Sequence, residues 1–320
     1  MSHNSTENDQ TPIPQSTSPS LIKDLMMIMK PSISLLVLIT SAGGIWMAPG
    51  EIALIALIAS IFGTLGVVIG ANILNCYLER ESDQWMARTK NRPLPAGRMQ
   101  AYTALSMGLS IASISLVVLW FWVNQTTTIL ALIAFISYVW IYTPMKRLSP
   151  QALIVGSIPG AMPPLMGWTS VTGALDWGGI ALFGILFFWQ IPHFIAIALY
   201  RQNEYEKAGL KTIPGQYGLS NALWQNLFWS VLLVINTLVL IPLQLGGWIY
   251  LGIASLLGAY LLYLAIKGFW VETKNIWARK FFLYTLLYLS LLFAAFLVDA
   301  GQRSNQNPIF YQLHHNESSK

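Results

Sequence analysis

The sequence predicts an all-α integral membrane protein in which nine transmembrane helices form one domain between two polar tails. Three observations carry this expectation. Of the 320 residues, 55% are hydrophobic and 10% charged, whereas a soluble domain carries charge on about a quarter of its residues. Apolar runs approaching or exceeding the ~20 residues that cross a bilayer recur along the whole chain. All 18 lysines and arginines except Arg303 and Lys320 lie before the first run or in alternate connections, the asymmetry that orients such chains.

Segment 1–24 is rich in Ser, Thr and Pro and lacks an apolar stretch ahead of a small-residue cleavage site. It reads as a disordered tail rather than a secretory signal. The domain occupies 25–300, with apolar runs at 33–48, 52–78, 102–123, 127–142, 152–171, 177–199, 223–245, 248–266 and 281–298. The first and fourth are short and borrow flanking residues. Segment 301–320 reads as a second polar tail, and the pair His314-His315 in it as solvated terminus rather than a metal site. Gly156, Gly160 and Ala161 in the fifth run give small-residue spacing for close helix approach, and Pro163-Pro164 opens its backbone.

The connections fall into two sets. One holds Lys23, Lys30, the loop 80–98, Lys146, Arg147 and the basic residues of 201–211 and 267–280. The other, at 49–51, 124–125, 172–176 and 246–247, is short and nearly uncharged. Positive charge inside places the amino terminus in the cytoplasm and, with an odd number of spans, the carboxyl terminus outside. The net charge of +5 is dispersed between spans rather than gathered on one surface, so the surroundings are membrane lipid and no nucleic acid is expected. The single cysteine, Cys76, rules out an internal disulfide and reads as a packing residue.

The second run ends in NCYLERESDQWMARTKNRPLP (75–95). At 100° per residue Asn75, Glu79 and Asp83 lie at about 0°, 40° and 80°, a stripe about 12 Å long, with Asn72 near it and Glu81 on the far side. Two carboxylates and an amide oxygen suit Mg²⁺. The same residues also suit a helix end whose charges face water, paired locally with Arg80 and Arg88. The run Arg88-Thr89-Lys90-Asn91-Arg92-Pro93 then sets donors and positive charge beside the carboxylates, the combination a metal-bridged diphosphate requires. A second cluster ends the sixth run, LFFWQIPHFIAIALYRQNEYEKAGLKTIP (186–214), with Arg201, Glu204 and Glu206. If the helix continues past Pro192, Glu204 is turned about 20° from His193 and lies about 16 Å along. YTPMKR (142–147) adds Lys146 and Arg147, and Lys30 stands at the mouth of the first run.

The pattern Asn75-x3-Glu79-x3-Asp83, continued by RTKNRPL (88–94), resembles the first aspartate-rich motif of the UbiA-type intramembrane prenyltransferases. Segments 142–173, 189–201 and 204–214, IWARKFF (276–282) and YLSLLFAAFLVD (288–299) match too, so the resemblance covers about 30–299. RTKNRPL and IPHF (191–194) are similar to the branch that farnesylates haem rather than to the branch acting on quinone precursors. The resemblance implies a helical bundle around a central cavity. It implies conversion of haem b, farnesyl diphosphate and water to haem O and diphosphate, with Mg²⁺ as cofactor on Asn75, Glu79, Asp83 and Glu204 as the catalytic and metal set. Lys30, Arg88, Lys90, Arg92, Lys146 and Arg147 would hold the diphosphate. His193 would meet the haem acceptor, with Tyr142 as a wall or hydrogen-bond partner, and a bacterial inner membrane would house the protein beside a downstream haem A synthase or terminal-oxidase assembly factors.

Three alternatives stay open. His193 also suits a neutral packing histidine, the diphosphate site also suits a prenyltransferase for an aromatic quinone precursor, and a secondary transporter would need the midplane charges that, His193 apart, the runs lack. The family usually has aspartate at the positions of Glu79 and Glu204, and its PMLP-like stretch is here Lys211-Thr212-Ile213-Pro214. The added methylene shifts a metal by about 1 Å or makes a ligand water-mediated.

Overall fold

The computed structural model describes residues 21–85, 89–207 and 209–304. Arg88, residues 1–20, and the carboxyl tail with His314 and His315 lie outside the described residues. Every regular element among them is helical. Helices α1 (Leu21–Met29) and α2 (Pro31–Met47) are bent by 50° at Lys30. Pro31 supplies no backbone N–H and disfavours helical backbone before it, and Lys30 accordingly turns left-handed, φ 51. Residues 21–24, expected within the tail, form the first turn of α1, where Asp24 is buried.

The chain continues through α3 (Leu54–Asp83) and α4 (Ala101–Trp122) to α5 (Gln125–Ile136). A π-helical stretch at Ser137–Tyr142 then leads into the short α6 (Thr143–Met145). α7 (Ala152–Thr172) stays helical through Pro159, Pro163 and Pro164 and stops at Gly173, φ 68. α8 (Trp177–Tyr200) begins on Asp176, whose carboxylate accepts from the Gly178 and Gly179 amides. α9 (Gln202–Lys207) is short, and α10 (Ile213–Val239) starts on Thr212, ahead of the apolar run it contains. α10 is interrupted at Gly218 and gives out before the expected end of that run. α11 (Trp248–Lys267) and α12 (Lys274–Ser304) complete the fold.

Each expected run lies largely in a long helix. Seven of these helices are long and apolar enough to cross a membrane, and eight if the bent α1–α2 pair counts as one span. The helix outside that number is α7, where three prolines and three glycines stand in place of apolar side chains. Members of each set of connections meet one another. Asn124 and Thr126 donate to the Thr169 and Gly173 carbonyls in the uncharged set. In the basic set, the Lys211 amide donates to the Lys146 carbonyl and Arg98 reaches Asp24. The exterior is apolar, with Phe121 at 73%, Leu256 at 75% and Trp248 at 87% exposure. Such a belt is stable only in lipid, and the chain is a multi-pass integral membrane protein.

α2 and α7 approach each other closely. A Cβ on Gly44 would collide with the Pro164 carbonyl, and one on Gly167 with that of Ser41. Gly156 and Gly160 do not meet backbone: they make room for the Tyr142 ring and the Gln190 amide. Gly167→Ala is therefore expected to cost about 1–3 kcal/mol through overpacking, read as a lower unfolding midpoint in detergent. Gly252→Ala on α11, where a Cβ meets open space among the described residues, should leave the midpoint nearly unchanged, and equal shifts would refute the tight contact.

Candidate active site

The carboxylate stripe on α3 is real, and each of its members meets a cation from a different element. Lys30 Nζ, at the α1–α2 bend, donates to Asn75 Oδ1 at 2.5 Å. Lys146 Nζ, just past α6, lies 2.9 Å from Glu79 Oε1. Arg92, in the loop after α3, lies 2.5 Å from Asp83 Oδ2. Asn75 and Asp83 are fully buried. Glu81, expected on the far side, is exposed and pairs only locally, with Arg80 at 3.2 Å.

The π-helical stretch positions the opposite wall. It widens the helical turn that follows α5, and Thr143 Oγ1 accepts from Asn75 Nδ2 at 3.1 Å while donating to the Tyr138 carbonyl at 2.8 Å. Lys146 Nζ sits 4.6 Å from the centre of the Tyr142 ring, so Tyr142 stands on the carboxylate side. Burial works against the charge of Lys146, but Tyr142 and Glu79 beside it hold its pKa above the ordinary lysine value. The loop carrying Arg92 is itself anchored. Arg98 grips the buried Asp24 of α1 through Nε at 3.0 Å and a second nitrogen at 2.8 Å, and also donates to the Asn91 carbonyl at 2.8 Å. Sequence reasoning missed this pair, since nothing local links residues 74 positions apart.

The donors fit Mg²⁺. Asn75, Glu79 and Asp83 offer only oxygen, the chemistry a hard divalent cation takes. Asp83 Oδ1 is buried without a hydrogen-bond partner among the described residues, an oxygen with capacity to spare. The fourth expected ligand is not brought to them. α8 ends at Tyr200 and Arg201 leaves helical backbone, so Glu204 belongs to α9 and does not continue the face of His193. Its side chain is 71% exposed and lies 3.4 Å from Arg201. No three His, Cys, Asp or Glu side chains gather into a metal-binding group among the described residues. Lys90 and Arg147 are exposed.

His193 lies elsewhere, buried between α8 and α12. α8 runs through Pro192 without a break, and Asn226 Nδ2 donates to the Pro192 carbonyl at 3.2 Å. The imidazole stacks on Trp189, centroids 4.5 Å apart, and its Nδ1 lies 2.7 Å from Thr285 Oγ1. Thr285 was not legible as a site residue, because a threonine inside an apolar run carries no spacing signal.

Comparison with known proteins accords with this geometry. The family model described as the UbiA prenyltransferase family matches residues 36–297. The protoheme IX farnesyltransferase of Myxococcus xanthus is 47% identical over 89% of this chain and 97% of its own length. That of Sorangium cellulosum is 43% identical over 83% of this chain and 100% of its own. Among solved structures, digeranylgeranylglyceryl phosphate synthase superposes with a TM-score of 0.78 at 19% identity, over 87% of this chain and 98% of that one. A UbiA homologue from Archaeoglobus fulgidus, solved with GPP and Mg²⁺, gives 0.65 at 20% identity, over 85% of this chain and 99% of that one. By the extent of the family match and the identity of these relatives, the chain belongs to the UbiA prenyltransferase family.

Proposed function

We infer that this chain transfers the farnesyl group of farnesyl diphosphate to haem b, taking up water and producing haem O and diphosphate. The observation that carries the reaction type is the row of pairs Lys30 with Asn75, Lys146 with Glu79 and Arg92 with Asp83 at one end of an apolar bundle. The acceptor rests on the relatives, which are protoheme IX farnesyltransferases matched over nearly their whole length.

The chemistry follows from the residues. Breaking the allylic C–O bond sends its electron pair to the diphosphate, so charge must be offset where it grows. Lys30, Arg92 and Lys146 stand ready to hold phosphate oxygens, with Lys90 and Arg147 as an outer basic layer and Arg88 as a further phosphate-binding cation. Asn75, Glu79 and Asp83 would hold Mg²⁺, and the ion would supply additional neutralisation of the leaving diphosphate. The apolar helices exclude water while the haem vinyl carbon attacks the allylic carbon. The cation left beside the porphyrin then takes a water, which loses a proton to become the hydroxyl. His193 orients the haem, and Tyr142 holds Lys146 and forms part of the wall.

The surroundings we propose are a bacterial inner membrane, with the amino terminus cytoplasmic and the carboxyl terminus outside. The product would pass to haem A synthase or to terminal-oxidase assembly.

Membranes supplied with haem b, farnesyl diphosphate and Mg²⁺ should yield haem O by mass spectrometry. EDTA should abolish the product and Asp83→Ala lower the rate by about a hundredfold or more. Undiminished product in EDTA would refute the magnesium role, and prenylation of an aromatic acceptor without haem O would transfer the assignment to a quinone precursor. The topology makes a separate prediction. A carboxyl-terminal alkaline phosphatase fusion should be active and the matching green fluorescent protein fusion dark; the reverse would mean an even number of spans.

A further inference from the structure

The partner of His193 determines which of its nitrogens is free. Thr285 Oγ1 lies 2.6 Å from the Phe282 carbonyl, three residues earlier on α12, and 2.7 Å from His193 Nδ1. A hydroxyl has one hydrogen and a carbonyl can only accept. With that hydrogen on the Phe282 oxygen, Oγ1 has only lone pairs to turn toward Nδ1. Two lone pairs cannot bond, so Nδ1 carries the proton. The reverse assignment would press an Oγ1 lone pair against the Phe282 carbonyl at 2.6 Å. A neutral imidazole has one N–H, so Nε2 is left bare.

The ring is also held against rotation. Trp189, one turn earlier on α8, stacks on the imidazole at 24° between planes, and Phe282 closes in with centroids 4.8 Å apart. The Trp189 Nε1–H donates to the Thr285 carbonyl at 2.7 Å, so a single turn of α12 fixes both rings. Thr285 is fully buried, and water cannot substitute for its hydroxyl. Nε2 has no hydrogen-bond partner among the described residues.

We propose that Thr285 is a positioning residue for the acceptor: it holds His193 as the Nδ1–H tautomer, so that the bare Nε2 is presented to the iron of haem b. This rests on the reading of His193 as the group that meets the haem. The hydrogen bond on the far nitrogen does for this imidazole what outer partners do for metal-binding histidines generally: it sets the tautomer and raises basicity. The purely structural role, a threonine that ties α12 to α8, would be indifferent to which nitrogen is protonated.

The full chain in detergent, titrated with haem b and followed by the Soret band and by electron paramagnetic resonance, tests this. The wild-type protein should give a nitrogen-ligated haem spectrum that His193→Ala abolishes. Thr285→Val, of the same shape without the hydroxyl, should weaken haem binding about ten- to a hundredfold and alter the spectrum, while leaving the KM for farnesyl diphosphate unchanged. Thr285→Ser should restore both. If His193→Ala leaves the spectrum intact, the haem reading of His193 fails. If His193→Ala abolishes it but Thr285→Val does not weaken binding, the role of Thr285 alone fails. Should Thr285→Val not fold, ¹⁵N nuclear magnetic resonance of the wild-type protein decides, with the His193 signals identified by their loss in His193→Ala. A protonated Nδ1 with bare Nε2 upholds the proposal, and a protonated Nε2 overturns it.

Discussion

A carboxylate with no exposed surface, at the end of a long and mostly apolar helix, must be matched by positive charge or the fold will not hold. Asp83 is that group, and Arg92 at 2.5 Å is the match. Removing one member of such a pair leaves an uncompensated buried charge, a cost of about 3–5 kcal/mol, so the loop after α3 has to fold back over the helix. Arg98, further along the loop, then reaches Asp24 and seats α1. α1 in turn leads into the left-handed turn at Lys30, whose ammonium returns to Asn75, two turns before Asp83. The polar contacts therefore form a circuit that begins and ends on α3. The strained backbone at Lys30, a conformation that costs a residue with a Cβ about 1–2 kcal/mol, is sustained because both ends of the bend are tied down.

The circuit also explains how the proposed diphosphate site can be stable before the anion arrives. Lys30, Arg92 and Lys146 are three basic groups facing two carboxylates, Glu79 and Asp83. The surplus favours a negatively charged ligand, and the short contacts keep each ammonium or guanidinium oriented toward the stripe. A diphosphate bridged to a divalent cation supplies both signs at once: phosphate oxygens for the basic groups and positive charge for the carboxylates. Exchange of partners then replaces internal pairs by ligand pairs without exposing an unpaired charge, the condition for burying so polar a group within apolar helices.

What was legible in the sequence was local. The Asn75, Glu79 and Asp83 stripe follows from helical periodicity alone, and the structure places all three on one wall and Glu81 off it. The sorting of connections into a basic set and a neutral set was equally plain, because charge placement is written residue by residue. What escaped depends on contacts distant in sequence or on backbone departures from regularity. The Asp24 and Arg98 pair, and Thr285 beside His193, join residues that no spacing relates. The common face of His193 and Glu204 assumed an unbroken helix, and the break after Tyr200 removed it. α8 stays helical through Pro192, so that residue is not where the common face is lost.

The two ends of the reaction are held by different physics, and the glutamate at 79 shows why the difference matters. Asp83 is short, fully buried and locked to Arg92, so its position is set by packing. Glu79 is 18% exposed and its partner, Lys146, comes from beyond another helix on a long flexible stem. A longer carboxylate suits that gap, since the added methylene lets it meet Lys146 at 2.9 Å. Mg²⁺ demands near-octahedral geometry but normally keeps several waters, so one mobile carboxylate acting directly or through water is compatible with it when the neighbouring ligand is fixed. In the proposed assignment the acceptor end permits no such latitude, because a tautomer is either right or wrong. Accordingly the flexible side chain lies among charges that can adjust around it, and His193 lies where Trp189, Phe282 and Thr285 leave its ring one orientation.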